Sequence, residues 1–111
     1  MKIVDVEAIH LRLPQIKARS DSSQDALLIR ITTDSGLVGW GEADSSPSVV
    51  KAIIDAPMSH RWASGLREVL IGEDPLEHER LWDKMYGATL YFGREGAAIQ
   101  AMAGVDLALW D

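Results

Sequence analysis

The sequence predicts an α+β fold, a three-stranded antiparallel meander followed by a helical bundle. Three observations predict it. Up to residue 42 the chain alternates apolar and polar residues and is rich in Val, Ile and Thr, the habit of strands. Asp34-Ser35-Gly36 is a turn signal, so residues 37–42 fold back antiparallel on the preceding strand. Beyond residue 45 the apolar residues recur at helical spacing to the end of the chain.

Taken in order, residues 2–13 alternate imperfectly, and the apolar side changes near Ala8, which predicts a bulge or a change of neighbour there. His10 falls on the half that turns polar and reads as a solvated strand residue rather than a ligand. Pro14 ends the strand. Residues 15–24 have no period and read as a mobile loop longer than a hairpin needs, either functional or a tolerated insertion. Residues 25–33 carry aliphatics on both faces, the mark of a central strand covered on most of both sides. In the third strand Gly39 and Gly41 leave one face nearly bare, so something must lie close against it, while Trp40 faces the other way. By composition alone this is no more than the glycine-rich edge strand of any α+β domain.

Ser46-Pro47 matches an N-cap with proline at the first helical position, and Pro57 stops the helix whose apolar face is Val49, Val50, Ile53 and Ile54. A second helix is expected over residues 59–70 with Trp62, Leu66, Val69 and Leu70 inward. Asp74 as N-cap and Pro75 open a third, buried along Leu81, Trp82, Met85 and Tyr86. His78 reads as packing beside that stripe and His60 as exposed. Residues 91–96 form a turn with two glycines. The last helix, residues 97–111, has a line of small residues, Ala97, Ala101, Gly104 and Ala108, that permits close approach. It is apolar around most of its circumference, which suggests a chain cut short or a helix waiting for a partner.

At 111 residues the chain is one domain, small for an enzyme that needs a deep cavity. A net charge of −6 with no basic run argues against nucleic acid and anionic membrane surfaces. There is no cysteine, which excludes a disulfide framework and thiolate metal sites and suits the cytoplasm. No apolar run approaches the roughly 20 residues of a membrane span.

Five blocks together carry a resemblance: Gly36-Leu37-Val38-Gly39-Trp40-Gly41-Glu42, Gly72-Glu73-Asp74-Pro75, Leu81-Trp82-Asp83-Lys84-Met85-Tyr86, Gly93-Arg94-Glu95-Gly96 and Val105-Asp106-Leu107-Ala108-Leu109-Trp110-Asp111. In this order and spacing the chain resembles the N-terminal capping domain of the mandelate racemase / muconate lactonizing enzyme branch of the enolase superfamily, most like its acid-sugar (rhamnonate-type) dehydratases. The resemblance implies a cap over a C-terminal (β/α)8 barrel that supplies the chemistry. There a Mg2+ ion held by three acidic residues and a Lys or His base would abstract the α-proton of a carboxylate substrate. Those residues would lie beyond Asp111, so the fragment alone is expected to be inactive, with no catalytic residue and no metal ligand of its own. Asp106 and Asp111 do not share a helix face and read as structural. The resemblance gives the cap loops a part in substrate specificity, through Gln15, Lys17 and Arg19 in the first loop and Ser45 and Ser46 in the second. Cations and hydroxyls suit a polyhydroxylated acid, and the complete enzyme is expected to be a homo-oligomer. The alternative is a free-standing α+β interaction module whose terminal helix docks on a partner chain.

Overall fold

The computed structural model describes residues 1–18 and 23–111. Strand β2 (Asp25–Thr33) is the middle of a three-stranded antiparallel sheet, between β1 (Ile3–Arg12) and β3 (Val38–Ala43). Leu27, Ile29 and Ile31 point to the helical side and are fully buried, each worth about 1.5–3 kcal/mol of burial. Their alternates Ala26, Leu28, Arg30 and Thr32 are only half-buried, so the second face is less covered than the sequence suggests. On that face Arg30 pairs with Glu7 and lies 5.7 Å from the Trp40 ring.

The expected irregularity of β1 is present but lies between Ile3 and Asp5, not near Ala8. It lets Ile3 before it, and Val6 and Ala8 after it, all face the core. The hairpin into β3 turns at Gly36, whose φ of 85° favours glycine.

Helix α1 (Pro47–Asp55) starts after Ser46 as expected and buries Val50 and Ile54, while Val49 is exposed. Helix α2 is only Leu66–Leu70, far shorter than the 59–70 expected. Residues 59–63 instead close a tight turn, with Ser59 N donating to Ala63 O at 2.9 Å and Ala63 N to His60 O at 2.9 Å. The reason is tertiary. Gly65 N donates to Ala56 O at 3.0 Å, and a Cβ at Gly65 would collide with the Ala56 backbone. That seat against the end of α1 outweighs helical periodicity, and it leaves Trp62 exposed with the Arg61 guanidinium 4.2 Å from its ring.

Helix α3 (His78–Ala88) begins later than Asp74-Pro75 suggests. Asp74 caps a separate turn first, its carboxylate accepting from Leu76 N at 3.1 Å and its carbonyl from Glu77 N at 3.2 Å. Leu81, Met85 and Ala88 are buried; Trp82 is half-buried and Tyr86 exposed, with Arg94 stacked 3.9 Å above its ring. A single 3-10 turn, Leu90–Phe92, precedes helix α4 (Ala97–Trp110).

Helix α4 is what the bare glycine face receives. A Cβ on Gly39 would strike the Ala108 carbonyl, and one on Gly41 would sit 2.9 Å from Ala108 N. Reciprocally, a Cβ on Gly104 would fall 2.8 Å from Ile29 Cδ1 and 3.0 Å from Ala43 Cβ. The sheet, α1 and α3 bury Ala98, Ala101, Met102, Gly104, Val105 and Ala108. The terminal helix is therefore packed into its own domain over most of its surface, while Ala103, Leu107 and Trp110 keep an exposed side beyond its first turn.

Both sheet edges are capped by charged side chains. Lys51 Nζ donates to Ala8 O at 2.9 Å and the Arg67 guanidinium to Val6 O at 2.7 Å along β1. On β3 the Asp111 carboxylate accepts from Trp40 N at 3.0 Å.

Candidate functional site

Register decides where the loops lie. Arg12 pairs with Asp25, and two residues along β2 Leu27 pairs with Ala43, the last residue of β3. The β1–β2 loop and the exit from β3 therefore leave the sheet at the same end. The structure thus brings the segment of Gln15 and Lys17 to the same end as Ser45 and Ser46, while Arg19 lies outside the described residues.

The base of the first loop is clasped. Lys17 N donates to Gln24 Oε1 at 2.8 Å and Gln24 Nε2 donates back to Lys17 O at 2.9 Å, while Leu13 N donates to Gln24 O at 2.9 Å. This leaves the Gln15 and Lys17 side chains exposed. Beside them Leu11, Leu13, Arg12 and Gln24 line an open groove of about 340 Å3. At the exit from β3 Ser45 is half-buried and Ser46 exposed. Among the described residues the Ser46 hydroxyl makes no cap bond to α1.

Sequence reasoning missed one member of this end. His10 is not simply solvated: it is half-buried, with Nε2 3.2 Å from Asp25 Oδ2. The signal is the register itself, since His10 and Asp25 come together only once Arg12 is set opposite Asp25.

The acids weighed as ligands have other partners. Asp111 holds the Trp40 amide. Asp106 is half-buried, and burial pushes its carboxyl above the ordinary range against opposing pulls from His78 and the Trp110 indole. His78 packs on Trp110 with ring centroids 3.9 Å apart, and exposed His60 meets Tyr91 edge-on at 4.7 Å. Among the described residues no group of three or more His, Cys, Asp or Glu is arranged to hold a metal ion. Nor is any described helix long and apolar enough to cross a membrane.

A profile of the family described as "Mandelate racemase / muconate lactonizing enzyme, N-terminal domain" matches residues 2–111. The chain belongs to this family. Among relatives of this mandelate racemase / muconate lactonizing enzyme N-terminal domain, an arabinonate dehydratase of Saccharolobus solfataricus is 40% identical over 98 residues, which cover 86% of this chain and 24% of that protein. A D-galactonate dehydratase of Verminephrobacter eiseniae is 41% identical over 88 residues, 77% of this chain and 20% of that protein. In solved structures the same fold recurs in the 3,6-anhydro-D-galactonate cycloisomerase of Zobellia galactanivorans, with TM-score 0.80 and 29% identity over 100% of this chain and 28% of that one. It recurs in a mandelate racemase/muconate lactonizing protein of Paracoccus denitrificans complexed with magnesium, with TM-score 0.75 and 32% identity over 98% of this chain and 26% of that one. The domain spans about a quarter of the length of these relatives.

Proposed function

We propose that this domain is the substrate-specificity cap of a Mg2+-dependent enzyme that removes the α-proton of a sugar acid, most simply as a dehydratase. The observation that carries this reading is the convergence of the two polar loops at one end of the sheet, in a chain whose relatives are named for sugar acids. An α-proton beside a carboxylate is too weakly acidic for a side-chain base unless a divalent cation stabilises the developing charge. The described residues offer no seat for that cation. Cation and base would therefore belong to the remainder of the polypeptide, in a C-terminal barrel.

The part left to this chain is binding and exclusion of water. Lys17, and Arg19 by its place in the same loop, supply cations for hydroxyl or carboxylate oxygens, Gln15 an amide, and Ser45 and Ser46 hydroxyls from the exit of β3 at the same end of the sheet. The Gln24 clasp pre-orders the loop base, so less conformational entropy is lost when substrate is covered.

The test is kinetic, in the full-length enzyme. Replacing Lys17, Arg19 and Ser46 by Ala is expected to lower kcat/KM roughly ten- to a thousandfold, the range for losing one or two charge-assisted contacts. Exchange of the substrate α-proton should fall less, because base and cation are untouched. Wild-type turnover by the variants would sink the proposal, as would equal collapse of exchange and turnover in a protein that remains folded.

A further inference from the structure

We propose that His10 is a specificity-determining residue of the cap, its Nδ1 accepting the proton of a distal hydroxyl of the bound sugar acid, with Asp25 as the residue that positions the ring. The inference rests on the cap reading above and adds to it a contact made from a strand rather than from a loop.

Position comes from register. His10 lies two residues beyond buried Ala8, and Asp25 two residues before buried Leu27, so both stand on the helical face of the sheet. His10 is paired with Leu27, and Leu27 in turn with Ala43, so one row crosses all three strands. Arg12 and Asp25 are the last pair before the first loop, and Ala43 is the last residue before Asp44-Ser45-Ser46. His10 thus stands at the root of both segments that carry the substrate contacts named above. Diagonal neighbours on one face of a sheet come within reach of a long side chain, and His10 Nε2 lies 3.2 Å from Asp25 Oδ2.

Chemistry assigns the two ring nitrogens. An ionised carboxylate can only accept, so Nε2 carries the proton and, in the neutral ring, Nδ1 presents a lone pair. The two side chains are 24% and 25% exposed, sheltered enough to keep their bond and open enough to be reached. Among the described residues Nδ1 has no hydrogen-bond partner, and it is not closed off from solvent. Asp25 also lines the open groove beside Leu11, Leu13 and Gln24, so the pair borders a space that a ligand can enter.

The needs of the ligand select a hydroxyl. Lys17 and Arg19 can donate to a hydroxyl oxygen but have no lone pair to offer its proton. Once water is excluded, each hydroxyl proton of a polyol left without an acceptor weakens binding. Gln15, Ser45 and Ser46 can accept, but as rotors on irregular backbone. His10 offers an acceptor fixed on a strand and aligned by a second side chain, so little freedom is lost when the contact forms.

The first arm reads the ring in this chain. At about pH 8 nitrogen-15 spectra should place the His10 proton on Nε2, in wild type and in Asp25→Asn, whose amide oxygen also accepts. Asp25→Ala should let the proton move between the two nitrogens. A proton on Nδ1 in wild type overturns the assignment. The second arm uses the full-length enzyme, its sugar-acid substrate, and analogues deoxygenated in turn at each carbon beyond C3. His10→Leu should lower kcat/KM for the parent acid about five- to a hundredfold more than for one of the analogues. His10→Asn, whose amide oxygen can accept, should recover part of that difference. Equal losses on the parent and on every analogue overturn the inference and make His10 a structural brace. If the Lys17, Arg19 and Ser46 variants keep wild-type turnover while the His10 difference stands, the loop contacts fail alone. If they lose turnover while His10→Leu shows no such difference, this inference fails alone. An enzyme that turns over no sugar acid overturns both.

Discussion

Gly41 and Gly36 sit one short stretch apart, yet glycine is required at each for a different reason. At Gly41 an added methyl would meet the backbone of α4, which no rotamer can relieve, so helix and strand must separate. At Gly36 nothing lies within 4 Å, and only the φ of 85° resists a side chain. Gly41→Ala is therefore expected to cost about 3 kcal/mol, and Gly36→Ala about 1–2 kcal/mol. Urea unfolding followed by tryptophan fluorescence would check the order, and equal losses would contradict the contact. The need at Gly41 is legible from sequence, because a strand with a bare face demands a close neighbour. The pairing of His10 with Asp25 is not, because it depends on a register that the loop between them leaves open.

At the scale of elements, the three strands, α1 and α4 follow from periodicity and caps, and the misreadings concern where tertiary contacts trim a helix. Residues 59–65 keep an apolar rhythm but give up helix so that Gly65 can seat on α1, a partner the rhythm does not reveal. Asp74-Pro75 announces a helix and delivers a preliminary turn. That same connection carries a titratable brace. Hydrogen bonds from Arg80 and Lys84 hold the Glu73 carboxyl below its ordinary range, and the Glu73 carbonyl accepts from Ile3 N at 2.8 Å, tying α2–α3 to β1. A carboxyl lowered in the folded state stabilises the fold above its unfolded pKa, and this is lost as pH falls through the folded value. Glu73→Gln should thus lower the melting temperature at neutral pH. The difference from wild type should shrink as pH drops below about 4.3 and disappear in stronger acid. A difference that persists unchanged through that window would mean that Glu73 acts by packing alone.

For the molecule as a whole, the helices cover one face of the sheet and leave the other half-open. Val38, Trp40 and Leu11 stand exposed on that outer face, and Leu107 and Trp110 continue the apolar surface onto α4. Surfaces of this kind favour association once they exceed a few hundred Å2. The isolated chain is expected to self-associate reversibly at high micromolar concentration, and Trp40→Lys should return it toward monomer. Sedimentation showing a clean wild-type monomer at that concentration would contradict this. The loops could be nominated from sequence only through their resemblance to a family, since no spacing says that residues 15–18 and 44–46 share one end. Register supplies that fact.

The caps on the sheet edges also set an order of events during synthesis. Trp40 emerges 71 residues before Asp111, whose carboxylate seals its amide, and the glycine face of β3 stays uncovered until α4 exists. At a ribosomal pace of roughly 5–20 residues per second, that interval lasts on the order of 4–14 s. Throughout it the nascent hairpin has an open edge and no lid, so the interval favours a chaperone that holds extended, apolar strands until the last helix arrives.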